Sequence, residues 1–447
     1  MHRYLLLFFS LIASGAAAAD VAAFFNVNVI PMSDERVIEQ QTVIVQDGII
    51  GRIGHVDEVP VPEGARVIDG TDRFLIPGLA EMHAHVPPAG SEYLERDFAL
   101  FVVNGVTTVR GMLGHPSHLE LRTALLDGET FGPRLITSGP SLNGRSVNGA
   151  ADGARQVREQ HAAGYDFIKI HPGLDDEEFA AIAAAANELG MPFAGHVPVA
   201  VGLDSALASG MASIDHLDGY MAALMPPRKD ASGGYGGFFD VLLAGDVEEE
   251  GITELAAATA AAGTWTVPTE TLVEQLINET PASELRNRVE MRYVPAATVD
   301  RWVSAKEQQR QERGFSAEIA AEAIRIRRAL IRELRDAGAG ILLGSDAPQV
   351  FNVPGFSLHR ELELMVAAGL TPFEALRAGT ANVARFLGLR TGVIETGREA
   401  DLVVLDSNPL VDISSTRRVH GVMVRGNWYP AAEIEALLER YRLDDRD

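Results

Sequence analysis

The sequence predicts an α/β protein: a (β/α)8 TIM barrel inserted in a small β-sandwich domain formed by both chain ends. Three observations predict it. At 447 residues the chain is long enough for one large barrel with attachments. Its middle alternates apolar strand-like runs with helical ones. Its two ends both read as short strands split by turns, and neither has enough strands to bury a core alone.

Taken in order, residues 1–19 (MHRYLLLFFSLIASGAAAA) carry a basic start at Arg3, an apolar stretch and a run of small residues up to Ala19. This is the pattern of a secretory signal peptide cleaved near Ala19, with an apolar part too short to span a bilayer. The expectation is a periplasmic or secreted protein without a stable membrane anchor. Residues 20–75 follow with Val43, Val45, Ile49, Ile50 and Ile53 in apolar runs split by Asp47-Gly48. Residues 390–435 look alike, with strand-like runs at 400–405 and 419–424 and turns at Asn408-Pro409 and Gly426-Asn427. Between them, 76–389 form the expected barrel. Strand-like runs fall at 78–86, 106–110, 134–138, 167–171, 193–197, 213–217, 264–268 and 341–346. Helical runs at 176–189 and 317–337 stop before Gly190 and Gly338. The connection after the sixth strand carries Gly233-Gly234-Tyr235-Gly236-Gly237, and that after the seventh is long and mostly helical. Both are expected to cover the barrel mouth. A doubly wound open sheet is the alternative, and no Gly-rich phosphate fingerprint supports it.

The composition, 47% hydrophobic and 22% charged, excludes a disordered, collagen-like or many-span membrane chain. With 38 basic against 62 acidic residues, a net charge of −24 argues against nucleic acid as a partner. The absence of cysteine excludes disulfides and thiol nucleophiles, so any metal must be held by His, Asp, Glu or a modified Lys. Only Lys169, Lys229 and Lys306 are lysines; every other basic residue is arginine. A lysine inside an apolar run of such a chain needs an explanation.

Catalytic groups of a barrel stand at the C-terminal ends of its strands. Strand 1 ends in His83-Ala-His85, whose period of two puts both imidazoles on one face, able to chelate one ion. Strands 5 and 6 end in His196 and His216, and strand 8 in Asp346. Singly, each histidine also reads as a packed core residue, and Asp346 as a helix N-cap. Strand 4 holds Lys169 between isoleucines. Burial would depress its pKa and leave a neutral amine that can add CO₂ as a carbamate; the alternative is a snorkelling lysine. Together the six residues suit a pair of zinc-like ions. Tyr220, His171, Arg145, His115 and His359 are candidate substrate contacts, each also readable as structural.

Several runs carry a family resemblance. They are Ile76-Pro-Gly-Leu-Ala-Glu-Met-His-Ala-His85, Gly105-Val-Thr-Thr-Val-Arg110, Phe167-Ile-Lys169, the strand-end His196 and His216, Gly344-Ser-Asp346-Ala, and the tail from Gly392 to Pro409. With these the chain resembles the amidohydrolase superfamily, in particular its imidazolonepropionase-like and prolidase-like branch, over nearly its whole length. The resemblance implies that His83, His85 and Asp346 hold one divalent metal and His196 and His216 a second. Carboxylated Lys169 (N6-carboxylysine) and a hydroxide would bridge the two. The chain departs from the pattern at Glu81 and Gly111, where relatives often have Asp, and has no His after strand 3. The function so implied is a binuclear, metal-dependent hydrolase of an amide bond in a small peptide or N-acyl amino acid. The bridging hydroxide attacks, and Asp346 carries its proton to the leaving amine. A one-metal deaminase or cyclic-amide hydrolase is the alternative, a non-catalytic binding protein the more distant one. A homo-oligomer is compatible with the sequence.

Overall fold

The computed structural model describes residues 21–226 and 237–443. The expected signal peptide and Gly233 to Gly236 of the glycine-rich loop lie outside the described residues.

Both chain ends contribute to one eight-stranded sheet. The N-terminal part supplies Val21–Val29, Ile38–Gln46, Ile49–His55, Arg66–Asp69 and Phe74–Pro77; the C-terminal part supplies Leu402–Leu405, Val419–Val424 and Asn427–Pro430. The join is antiparallel, with Ile76 opposite Val403. A two-residue hairpin loop of type I′ needs positive φ at both positions. Asp47-Gly48 (50° and 75°) and Arg425-Gly426 (48° and 82°) supply it. The second turn lies one residue before the Gly426-Asn427 position expected from sequence, because Val424 pairs with Asn427. Phe24 and Trp428 sit far apart in strand order, yet their rings meet edge-on at 5.3 Å, so the sheet curls around its own core. Val27, Val43, Leu75, Leu402 and Met423 fill that core.

The middle of the chain supplies eight parallel strands in sequence order: Leu79–Ala84, Val106–Gly111, Arg134–Thr137, Ile168–Ile170, Phe193–Gly195, Ser213–Asp215, Trp265–Val267 and Gly340–Ile341. They form a three-stranded and a five-stranded sheet. A bridge between Ser138 and Phe167 links strand 3 to strand 4, and one between Ala84 and Ala347 links strand 1 to the residues after strand 8. Met82 N also donates to Leu343 O at 2.9 Å.

Each expected strand is present, but most are shorter than the apolar runs. After strands 6, 7 and 8, His216 and Leu217, Thr269, and Asp346 take positive φ (63°, 55°, 53° and 62°), outside the extended region, where candidate site residues emerge. Such strain in non-glycine residues gathers at functional sites.

The helices follow the expected punctuation. Asp176–Leu189 opens on a capping box between Asp175 and Glu178 and closes on left-handed Gly190. Ala317–Asp336 opens on Ser316, whose side chain accepts from Ile319 N. The connection after strand 7 holds Glu270–Ile277, Ala282–Arg286, Ala296–Arg310 and Ala317–Asp336. A helix, Ala431–Arg440, follows the last strand and runs past residue 435, with Tyr441 Oη reaching Glu95 at 3.4 Å. No helix among the described residues is long and apolar enough to cross a membrane.

Candidate metal centre

His83 leaves strand 1 fully buried, and His85 follows two residues later at the mouth with its side chain 24% exposed. Asp346 comes off strand 8 beside them. Its Oδ1 lies 3.2 Å from His85 Nε2 and 3.7 Å from His83 Nε2. One ligand atom from each of the three falls within 4.8 Å of the others. Asp346 Oδ1 is buried and accepts no hydrogen bond. An unsatisfied carboxylate oxygen facing two imidazoles is costly without a cation among them. Burial also drives the pKa of His83 far down and lowers that of His85, so both imidazoles are neutral, the form that binds metal.

His216 and His196 close the other side. Their rings are 4.7 Å apart, and that of His216 is 4.5 Å from that of His83. Each is oriented by a partner that sequence reasoning did not single out. His216 Nδ1 is 2.7 Å from Thr269 Oγ1, and that hydroxyl donates to Pro268 O. The hydroxyl can therefore only accept from the ring, which places the proton on Nδ1 and the free lone pair on Nε2. His196 Nδ1 is 2.5 Å from Asp218 Oδ2, a carboxylate–histidine pair in which Nδ1 is the donor. Nε2 of His216 faces Asp346 Oδ2 at 3.9 Å.

Lys169 is fully buried on strand 4, and burial lowers its pKa. Its Nζ has Asp215 Oδ2 at 3.4 Å. The cradle is Gly195: a Cβ there would stand 2.9 Å from Lys169 Cδ and 3.0 Å from Nζ. Asp215 is the hub beneath the cluster. It takes Arg110 at 3.1 Å and Lys169 at 3.4 Å, and His83 Nδ1 lies 3.1 Å away without a hydrogen bond. Burial pushes its pKa up, but the charges of Arg110 and Lys169 outweigh that and hold it below the usual carboxylate value. Arg110, also buried, donates to Met82 O at 2.6 Å and Ser213 Oγ at 3.0 Å, tying strand 2 to strands 1 and 6. The sequence cue for both was there: a lone charge at the end of an apolar strand, in Thr-Val-Arg110 and Ser-Ile-Asp215.

Glu81 is not aimed at the cluster. Its carboxylate accepts from His83 N, Ser345 N and Ser345 Oγ at 3.0, 2.7 and 2.5 Å, fastening strand 1 to strand 8; burial pushes its pKa up to about 8.

The candidate substrate contacts divide. His171 stacks on His196 at 4.9 Å, its buried Nδ1 without a hydrogen-bond partner. With Arg145 it lines a cavity of about 560 Å³ at the mouth, together with Ser141, Asn143 and Pro172. His115 is exposed on the loop after strand 2, with Ser117 Oγ at 2.8 Å from its Nδ1. The structure does not bring Tyr220 to the cluster. It is fully buried, and its hydroxyl meets Thr259 Oγ1 at 3.0 Å. His359 is likewise buried on the helix Phe356–Ala367, where its Nδ1 meets Thr416 Oγ1 at 3.0 Å. Both are taken up by packing.

Neutral imidazoles, a carboxylate and a buried lysine at the ends of parallel strands define a hydrolase with a metal-shaped centre. The amidohydrolase family model matches residues 74–429, and the chain belongs to that family. It is thus an amidohydrolase, an enzyme that hydrolyses carbon–nitrogen bonds, from a metal-dependent family. Among curated proteins it is 22% identical to an enamidase of Eubacterium barkeri over 379 residues, covering 83% of this chain and 82% of that one. Among solved structures it resembles bottromycin amidohydrolase, with a TM-score of 0.72 at 24% identity, covering 95% of this chain and 91% of that one. A Xaa-Pro dipeptidase with methionine bound in its active site gives 0.66 at 21% identity, covering 92% and 100%. At these identities the structural likenesses speak for the fold.

Proposed function

We propose that this amidohydrolase cleaves the amide bond of a small peptide or N-acyl amino acid at a two-metal centre. The observation that carries the reading is the buried Asp346 Oδ1, unpartnered and facing His83 and His85. The two parallel sheets are read as one (β/α)8 barrel, closed through the bridges at both seams, and the curled end sheet as the β-sandwich. His83, His85 and Asp346 would hold one divalent ion, zinc being the natural choice for these ligands, and His196 and His216 a second. Lys169, carboxylated, would serve both. A pair of divalent ions supplies Lewis acidity toward the carbonyl and a water acidic enough to react at neutral pH.

The protein's own groups do the rest. Asp346 accepts the proton of the attacking water on a carboxylate oxygen and returns it to the departing nitrogen. Asp218 and Thr269 keep the histidines in the tautomers required. Arg145, exposed and without an ion-pair partner among the described residues, faces the same cavity as His171. That pair suits the free carboxylate of an amino-acid leaving group. The first 19 residues support export, hence action on peptides or acyl amino acids outside the cytoplasm.

A one-metal reading has an observation of its own: only His83, His85 and Asp346 gather tightly enough to form a metal triad among the described residues. Metal content per chain separates the two. The expected result is about two ions, falling to about one or fewer in Lys169→Ala, with amide hydrolysis lost. One ion, unchanged in Lys169→Ala, would sink the bridged site and favour deaminase or cyclic-amide chemistry.

A further inference from the structure

The mouth is chemically two-sided. One side is the cavity of Arg145 and His171. The other is a pair of phenylalanines to which the reading above assigns no role. The Phe239 ring stands 4.6 Å from that of His216 at 28°, and 6.3 Å from that of His196 at only 7°. Phe238 meets Phe239 edge-on at 4.2 Å. His171 in turn stacks on His196 at 4.9 Å, so the rings run in a row from the Arg145 side to the Phe239 side. His216 is buried, whereas Phe238 and Phe239 are only half-buried and leave apolar surface open beside it.

The backbone holds Phe239 there at a cost. Phe239 and Asp240 are consecutive non-glycine residues in the left-handed region, at φ 48° and 59°. Each such residue is strained, and strain of this kind persists where the surroundings demand a particular side-chain direction. Both phenylalanines pack in part against the main core and stay half-buried, so part of each ring is left for another contact.

We propose that Phe239 is a specificity-determining residue: its ring is the wall against which an apolar acyl group of the substrate packs, opposite the Arg145 side that takes the carboxylate. This rests on the amide-hydrolase reading, and predicts a preference for bulky, aromatic or long-chain acyl groups over small ones.

The test compares kcat/KM for the N-benzoyl and N-acetyl derivatives of one amino acid in metal-loaded wild type, Phe239→Ala and Phe239→Leu. Wild type is expected to favour benzoyl at least about tenfold. Phe239→Ala should lose that preference through the benzoyl substrate, with acetyl changed less than about threefold, and Phe239→Leu should restore part of it. No preference in wild type, an unchanged preference in Phe239→Ala, or an equal fall for both substrates would overturn the proposal. Calorimetric binding of benzoate against acetate to the same three proteins decides independently of turnover. If neither amide is hydrolysed, the amide reading fails. Tighter benzoate binding that disappears in Phe239→Ala would still establish the apolar wall, and equal binding of the two acids would reject it.

Discussion

Asp218 and Thr269 act on the candidate centre only through the histidines they hold. Each settles which nitrogen its histidine presents, at 2.5 Å and 2.7 Å respectively. Removing such a partner commonly costs about 10- to 100-fold in metal affinity. With His196 holding a metal as proposed, Asp218→Ala is expected to weaken that binding by the same factor, read by competition with a chromogenic chelator; unchanged affinity would deny Asp218 this role. A second residue-scale expectation concerns pH. Asp97 is buried beside Arg96, and burial raises its pKa to about 6 from an ordinary 3.8. The folded state thus holds this proton more tightly than the unfolded state. Its contribution is favourable below about pH 4 and is lost as the pH rises through 6. Asp97→Asn should then match wild type near pH 4 and exceed it at pH 8 by up to about 3 kcal/mol in denaturant unfolding. A variant less stable at pH 8 would show that the bonds from Arg96 outweigh burial.

Among the elements, the ends of the strands matter most. Gly195 closes strand 5 at φ 130°, and a Cβ there would also press on Ile170 O at 2.4 Å. Gly195→Ala must displace strand 4 against strand 5, and the Lys169 side chain with it unless strand 4 moves far enough to clear both. The expected outcome is a folded protein with less metal per chain than wild type and sharply reduced hydrolysis, checked by circular dichroism together with metal analysis. Full metal content would show that strand 4 yields without moving Lys169. The loop after strand 7 is held by side chains from two helices. Glu361 accepts from Glu270 N and Thr271 N at 2.9 and 2.7 Å, while Arg327 pairs with Glu270 at 2.6 Å, and Thr269 sits one residue away. The strands themselves were legible in the sequence as apolar runs, because each is buried and short. Their ends were not, because His and Asp admit the positive φ seen at His216 and Asp346 more readily than most residues but do not require it.

For the whole molecule, the centre is a place where buried polar groups are collected at the expense of stability. A cation bound there stabilises the fold by mass action, about 4 kcal/mol when present at a thousand times its dissociation constant. A strong chelator should lower Tm and abolish hydrolysis together, and added zinc should restore both; a Tm indifferent to chelation would mean the ligands satisfy each other without metal. What the sequence determined by itself was everything carried by local pattern. The alternation of strands and helices, the period of two in His83-Ala-His85, and a lysine isolated between isoleucines depend only on nearest neighbours along the chain. Tertiary structure alone decided which residues meet. Parallel strands from distant parts of the chain set Asp215 under Lys169, Arg110 and His83. Helix packing turned Tyr220 and His359 inward, to Thr259 and Thr416, while Arg145 stays exposed and Phe239 half-buried. A polar side chain at a strand end reads the same whether it faces core or opening; the direction is set by the packing of eight strands against one another.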